Sequence, residues 1–365
     1  MRDNTGSVLF IIHRLGYGGA EKMLTFVANG LSKRGYDVQV YTYEGTEQNY
    51  PIDDGVVHIT EDNVITTRWI RRILQVFQIK KVIKSVKPDV VISFLIFPNL
   101  LSILATAGTK TPVIISERAD PYQDPGLFSS FFQFMYRFAD GVVFQTDGAK
   151  NFFRDKLRHA SCVIPNPVTI KGDWEPVRER EKKIAFVARF EVVQKRQDLM
   201  LSAFRQVVDA YPEYKLVFYG DGPDEEKVRA MAEELKLSEN VVFAGVTKDV
   251  CGAIRASRMF VLTSDYEGIP NALIEAMAVG LPVIATDCSP GGARMLIEDK
   301  RNGLLVPRGD VDAIAAAMKY LIENEQTAEE YGLRAREIVD KYTPDKFYHS
   351  WSEYICKVKE YKYGK

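Results

Sequence analysis

Short runs rich in β-branched residues alternate with helix-length amphipathic segments along the whole chain, and few architectures satisfy that alternation except parallel sheets joined by crossover helices. In the first half, strands are predicted at 8–13, 37–43, 89–94, 112–116 and 141–145, with weaker ones at 56–59 and 161–164 and a helix at 20–33. The rhythm breaks over Pro165-Asn-Pro-Val-Thr-Ile-Lys-Gly-Asp-Trp-Glu-Pro176, whose three prolines oppose regular structure, and a charged stretch follows at 178–183. It then restarts, with strands at 183–190, 215–219, 241–245, 259–263, 282–286 and 303–306 and helices at 197–210, 225–235, 271–279 and 311–323. An α/β chain of two doubly wound parallel-sheet domains is expected, at 1–168 and 180–344, because 365 residues exceed one ordinary core. An aromatic helix at 347–361 has no strand after it, and segment 345–365 is expected to return to the first domain.

Forty-eight basic and forty-nine acidic side chains nearly cancel, so no global field points to a nucleic-acid partner. The polar residues 1–7 lead directly into Val8-Leu-Phe-Ile-Ile12, too short an apolar run for a secretory signal. The most apolar later stretch, 94–107, carries Pro98 and falls short of the roughly 20 residues that span a bilayer. Cys162, Cys251, Cys288 and Cys356 lie far apart with no CxxC pair, which indicates neither zinc nor a disulfide framework and fits a reducing cytoplasm.

In open α/β sheets ligands bind beyond the carboxyl ends of strands, where helix N-termini offer N–H groups to phosphate. After the first strand, Gly16-Tyr-Gly-Gly-Ala-Glu21 places Gly18 and Gly19 where the chain can approach a ligand closely, although tight packing alone also explains such a turn. After the first strand of the second domain, Arg189 and Lys195 stand six residues apart on one loop, a cation pair suited to a diphosphate; an exposed basic loop is the plain alternative. Gly220-Asp-Gly-Pro223 serves equally as a ligand loop or as a turn needing positive φ. The strongest element is Ser264-Asp-Tyr-Glu-Gly-Ile-Pro-Asn-Ala-Leu-Ile-Glu-Ala276. Glu267 lies at a helix start, where a carboxylate competes with phosphate unless it has hydroxyls to hold, and sugar hydroxyls are its natural partners. Gly268 permits close approach, and Pro270 fits the first helical turn. Glu275 sits in an otherwise apolar stretch and needs the compensation that ribose hydroxyls supply. A capping glutamate followed by a solvent-facing one is the bland reading of the pair.

These residues resemble glycosyltransferase family four, whose GT-B fold sets two Rossmann-like domains facing a cleft and whose marker is two glutamates separated by seven residues, matched by Glu267 and Glu275. The resemblance runs over nearly the whole chain, through Gly18-Gly19-Ala-Glu21, Asn166-Pro167, Arg189 with Lys195, Gly220 to Pro223 and Ala276-Met-Ala-Val-Gly-Leu-Pro282. Thr286-Asp-Cys-Ser-Pro-Gly-Gly-Ala-Arg294 and Ser116-Glu-Arg-Ala-Asp-Pro121 are most similar to members that extend capsular, O-antigen or N-glycan-type lipid-linked oligosaccharides. The resemblance implies retaining transfer of a hexose or N-acetylhexosamine, such as N-acetylgalactosamine, from a nucleotide sugar to a lipid-linked saccharide. A UDP-sugar is the first expectation for the donor and GDP-mannose the second. It assigns Arg189 and Lys195 to the donor diphosphate, with the backbone of Gly268, Ile269, Pro270 and Asn271 assisting. Glu275 then holds ribose, Glu267 holds the transferred sugar, and Gly18 and Gly19 close over phosphates and acceptor. No protein nucleophile is implied. No metal or other cofactor is expected: no Asp-x-Asp is read between strand and loop, and His13, His58, His159 and His349 are scattered. Two departures stand out. Ala188 replaces the common glycine before the diphosphate arginine, and Glu117 and Arg118 stand where many members have a histidine. Those two are acceptor-side or transition-state candidates, with a surface ion pair as the alternative.

Between Thr66 and Lys87 lie seven basic residues, Arg68, Arg71, Arg72, Lys80, Lys81, Lys84 and Lys87, and no acidic one. At about 100° per residue Trp69, Ile70, Ile73, Leu74 and Phe77 share a face opposite the arginines, while Val82, Ile83 and Val86 fall on another, so a kink or helix junction near Gln78 is expected. Arg68, Arg71 and Arg72 are candidates for docking on an anionic membrane or gripping an acceptor pyrophosphate, which would make the protein peripheral at the cytoplasmic face; an ordinary charged surface is the alternative. The aromatic run Phe128-Ser-Ser-Phe-Phe-Gln-Phe-Met-Tyr136 is expected to pack in the core. Outside the transferase class stand a sugar-nucleotide-binding subunit without turnover, and an epimerase or phosphorylase on a similar frame.

Overall fold

The computed structural model describes residues 6–364 apart from 17, 46–47, 62–66, 124–125, 171–176 and 178, so the centre of the predicted linker lies outside the described residues. The chain forms two compact units, the first made of Met1–Asn166 with Asp345–Lys365 and the second of Pro167–Pro344.

The first unit is a seven-stranded sheet in the order β3-β2-β1-β4-β5-β6-β7, with every pair parallel. Its strands are β1 Ser7–Ile12, β2 Asp37–Thr42, β3 Val56–Thr60, β4 Val90–Phe94, β5 Val113–Ser116, β6 Gly141–Phe144 and β7 Ser161–Val163. The central strands read as unbroken apolar runs because helices cover both faces. These are α1 Gly19–Lys33, α2 Arg68–Val86, α3 Ile96–Thr106, α4 Leu127–Met135 and α5 Asp147–Phe153, joined by α15 Pro344–Tyr363 from the far end of the chain. One face packs Phe10, Leu24, Val27, Trp351 and Ile355 together, and the other packs Leu9, Ile11, Ile79, Ile83, Leu101 and Phe153.

α15 is an integral part of this unit. Trp351 is fully buried and stacks on Phe94 with ring centroids 5.9 Å apart. The Tyr354 hydroxyl accepts from the Val142 amide at 2.8 Å and donates to the Ala160 carbonyl. Lys359 and Lys362 pair with Asp89 and Asp140 at 3.1 and 2.7 Å.

α2 is one continuous helix with no junction near Gln78, as expected of a stretch free of proline and glycine. The phase change read in the sequence has another cause. Gln75, Ile79, Val82 and Ile83 turn inward, while Ile70, Ile73, Leu74 and Phe77 are exposed, Phe77 by 64%. The apolar residues of the two halves thus lie on opposite sides of one continuous helix. The aromatic run is corrected as well. Tyr136 is buried, but Phe131 and Phe134 on α4 are about half exposed, and Phe128's side chain lies outside the described residues.

The second unit is a six-stranded parallel sheet in the order β10-β9-β8-β11-β12-β13. Its strands are β8 Glu181–Val187, β9 Lys215–Tyr219, β10 Val241–Gly245, β11 Ser257–Leu262, β12 Val283–Thr286 and β13 Leu304–Val306. The helices are α6 Val192–Lys195, α7 Gln197–Val208, α8 Glu225–Glu234, α9 Val250–Ile254, α10 Asn271–Ala278, α11 Gly292–Leu296, α12 Val311–Glu323, α13 Glu325–Ala335 and α14 Ile338–Lys341. Every predicted strand is present in both units. The architecture is GT-B: two Rossmann-like parallel-sheet units in one chain.

Candidate active site

In the second unit strand order reverses between β8 and β11, and the loops leaving those two strands carry the strongest motifs of the sequence. The loop after β8 reaches α6, whose last residue is Lys195; the loop after β11 reaches α10 through Glu267. Their side chains meet. Lys195 Nζ lies 2.5 Å from Glu267 Oε1, and the Ser264 hydroxyl donates to the same oxygen at 2.8 Å. Glu267 is buried, and its Oε2 has no partner among the described residues.

Several bonds fix the two loops against each other. Thr263 Oγ1 donates to the carbonyls of Lys195 and Arg196, each at 2.9 Å, and the Asp265 amide donates to the Gln194 carbonyl at 2.8 Å. Arg196 bridges Asp198 and Asp265 through three bonds of 2.8 to 3.0 Å, and those carboxylates hold its pKa well above the ordinary guanidinium value. Behind Glu267, its amide donates to the Ser289 carbonyl at 2.9 Å. Gly292 then approaches so closely that a Cβ there would sit 1.6 Å from the Gly268 carbonyl oxygen. Only glycine fits.

The remaining candidates are placed differently. Arg189 is 63% exposed, with Glu191 as its ion-pair partner at 3.3 Å, so only one of the two predicted cations is fixed in the cluster. Pro270 precedes α10 as its N-cap residue instead of occupying the first turn, which leaves the amides of Asn271 and Ala272 at the helix start. Glu275 is half-buried on α10. Gly220 and Gly222 have φ of +137° and +155°, and a Cβ on either would strike the backbone of Ala188 or Phe190. The turn therefore needs glycine at both positions and supports the loop after β8. The sequence does contain one Asp-x-Asp, Asp310-Val-Asp312, but it opens α12: Asp310 caps Ala313 at 2.9 Å and Asp312 accepts from Gln206 at 2.8 Å.

In the first unit Gly18 is the N-cap of α1 and Gly19 its first residue; Tyr17 lies outside the described residues. Glu21, in the first turn, is 3.8 Å from His13, whose pKa burial lowers against the opposing pull of Glu21 and Glu44. Glu117 and Arg118 follow β5 and do not form a surface ion pair. Glu117 is buried; its Oε1 accepts the amides of Arg118 and Ala119 at 2.9 and 2.8 Å, and Oε2 accepts from the Tyr136 hydroxyl. Burial raises its pKa in spite of those bonds. The carboxylate shapes its own loop. Arg118 instead donates to Asn166 Oδ1 at 3.0 Å.

Arg72 on α2 turns away from the exposed face, donating to Glu44 and Gln75 at 3.2 and 3.0 Å with its guanidinium 4.6 Å from the Phe97 ring centre. Arg71 is half-buried, and the side chain of Arg68 lies outside the described residues. The expected arginine face is therefore not a free docking surface at Arg72.

Two family models match. The one described as Glycosyltransferase Family 4 covers residues 17–171, and the one described as Glycosyl transferases group 1 covers residues 173–338. The chain belongs to glycosyltransferase family 4. It is 27% identical over 360 residues to the GalNAc-alpha-(1->4)-GalNAc-alpha-(1->3)-diNAcBac-PP-undecaprenol alpha-1,4-N-acetyl-D-galactosaminyltransferase of Campylobacter jejuni, covering 96% of this chain and 99% of that one. Among solved structures it is similar to the lipopolysaccharide outer core galactosyltransferase WaaB, with a TM-score of 0.78 at 21% identity over 96% of this chain and 99% of that one. Anabaena HepE in complex with UDP gives a TM-score of 0.77 at 18% identity, over 96% and 100% of the two chains.

For this glycosyltransferase the motif residues around Lys195 and Glu267 were legible beforehand, whereas Ser264, Thr263 and the Arg196 bridge were not. Ser264 precedes Glu267 by three residues, a spacing that signals local pairing only once the loop conformation is known.

Proposed function

We propose that this glycosyltransferase moves a hexose or N-acetylhexosamine from a UDP-sugar to a lipid-linked saccharide during surface-glycan assembly, with retention at the anomeric carbon. The observation that carries the reading is the Lys195–Glu267–Ser264 cluster at the sheet's switch point. A buried carboxylate with one oxygen saturated and the other unpartnered suits a sugar hydroxyl, and an ammonium beside it suits the adjoining phosphate. Arg189 supplies a second, exposed cation to the diphosphate, the backbone from Gly268 through Asn271 meets phosphate at the start of α10, and Glu275 takes the ribose. Gly18 and Gly19 serve the phosphates and acceptor from the first unit. No metal is assigned to the reaction. The acceptor hydroxyl oxygen attacks the anomeric carbon on the face from which the phosphate departs; the carbon–oxygen bond to the β-phosphate breaks, and the departing phosphate oxygen takes the hydroxyl proton. The Campylobacter relative, named for a lipid diphosphate acceptor, and the UDP bound by HepE support this choice of substrates.

The same reading places the protein at the cytoplasmic face of an anionic membrane. No helix among the described residues is long and apolar enough to cross one. The support is the outward face of α2, where exposed Ile70, Ile73, Leu74 and Phe77 are followed, on the same side, by Lys80, Lys81 and Lys84.

A panel of UDP- and GDP-sugars incubated with a lipid-linked acceptor tests the proposal. Release of UDP from one donor, abolished in Glu267→Ala and Lys195→Ala, is the expected result. Turnover of GDP-mannose alone would replace the donor, and nucleotide binding without turnover on any acceptor would indicate a non-catalytic subunit.

A further inference from the structure

Arg118 is the one arginine among the described residues with two buried guanidinium nitrogens, Nε and Nη2, that have no hydrogen-bond partner. The rest of the group is tightly held. Nη1 donates to Asn166 Oδ1 at 3.0 Å, the oxygen that also receives Gln145 Nε2 at 2.9 Å. The guanidinium carbon lies 4.5 Å from the centre of the Phe94 ring, which is itself stacked on Trp351. These residues leave the ends of β4, β5, β6 and β7, at the carboxyl edge of the sheet where open α/β folds take ligands.

Nε and Nη2 form the edge of arginine that presents two parallel N–H bonds, matched by the paired oxygens of a carboxylate or phosphate. Elsewhere in this molecule the same edge is filled: Arg196 meets both oxygens of Asp198 at 3.0 Å, and Arg294 meets both oxygens of Asp287. Glu117 does not fill it for Arg118, since its carboxylate is committed to two amides and Tyr136. Burial lowers the Arg118 pKa to about 9, opposed by Glu117, so the group remains cationic at neutral pH. Two buried guanidinium nitrogens without partners are unfavourable in the free protein and become favourable once an oxyanion arrives.

We infer that Arg118 is a phosphoryl receptor, its free fork taking two oxygens of a substrate diphosphate, with Asn166, Gln145 and Phe94 as positioning residues. This rests on the transfer reaction proposed above, in which nucleotide sugar and lipid-linked acceptor both carry a diphosphate. Calorimetric titration of the full chain with UDP and, separately, with farnesyl diphosphate distinguishes the two sources. Arg118→Gln is expected to weaken one of them about tenfold or more and leave the other within about twofold. Arg118→Lys recovers part of the loss, because it restores charge without the fork, and Asn166→Ala produces a smaller loss. The melting temperature of ligand-free Arg118→Gln checks that the fold survives, since the substitution removes the two unpaired buried nitrogens together with the Asn166 bond and the Phe94 ring contact. If both affinities in Arg118→Gln stay within about twofold while Lys195→Ala still weakens UDP, the inference is wrong and the transferase reading survives. If neither diphosphate binds the unaltered chain, both fail.

Discussion

Beside the start of α10 a carboxylate would ordinarily compete with phosphate for the first-turn amides, so the work of Lys195 and Ser264 is to give Glu267 a different set of obligations. Glu267→Gln, which keeps the shape and removes the ion pair, is expected to lower kcat about 100-fold or more with the fold intact by circular dichroism. Ser264→Ala removes one hydrogen bond, worth about 1 kcal/mol, and should lower kcat/KM about fivefold in steady-state assays. Gly292→Ala acts through the backbone: with 1.6 Å available to the Gly268 oxygen, the loop carrying Glu267 must move, at a cost of about 1–3 kcal/mol in urea unfolding. Residue spacing made Glu267, Glu275, Arg189 and Lys195 visible, because a strand exit and a helix start confine them to one sheet edge. The difference between a fixed Lys195 and an exposed Arg189 was not visible, because it depends on Glu267 lying 72 residues further on. The same is true of Arg118, whose partner Asn166 is 48 residues away.

Among the secondary-structure elements, α2 shows how a correct pattern led to a wrong shape. Its sequence changes phase near Gln78, and two helices meeting there could each have turned an apolar half inward; the continuous helix leaves one half outside. The central strands were predictable because parallel strands buried on both faces are apolar throughout, and the part-exposed edge strands β3, β7 and β10 by their β-branched runs, whereas short helices such as α9, α11 and α14 have too few turns to show a period. If the outward face of α2 meets lipid, Phe77→Ser combined with Ile73→Ser should reduce sedimentation with phosphatidylglycerol vesicles while leaving thermal stability unchanged. Lys81→Glu and Lys84→Glu should each weaken binding by about 1 kcal/mol at low salt, and high salt should erase that difference. Arg72→Glu should instead destabilise the fold, since it opposes Glu44. A second test concerns His58 on β3, 3.0 Å from the Thr42 hydroxyl on β2, whose pKa burial lowers below 6.5, as it lowers that of His13. The unfolded chain then takes up protons first as pH falls below 6.5, so stability is full above that value and declines beneath it. Unfolding midpoints measured on either side should show the decline, and His58→Gln should make it shallower.

The whole chain is threaded so that the first unit is interrupted by the second and completed by α15. Deleting residues 345–365 would uncover Phe94, Val142 and the α1 face, and remove Trp351, Tyr354 and Ile355 from the core. Burial of aromatic and aliphatic side chains at about 1.5–3 kcal/mol each makes that loss comparable to the stability of an ordinary domain. Proteolysis of the truncated protein should therefore degrade residues of the first unit and leave a resistant fragment spanning the second. The same threading sets an order of events during synthesis. The seven strands of the first sheet are translated early, yet the helix that covers one of their faces emerges only after the last strand of the other sheet. A ribosome stalled anywhere in between displays a finished topology with an open hydrophobic side, a mark that chaperones and proteases read without reference to the active site. Quality control can thus read the folding state of the first unit by the sheet face that α15 covers, and that unit is finished only when the second has already been translated.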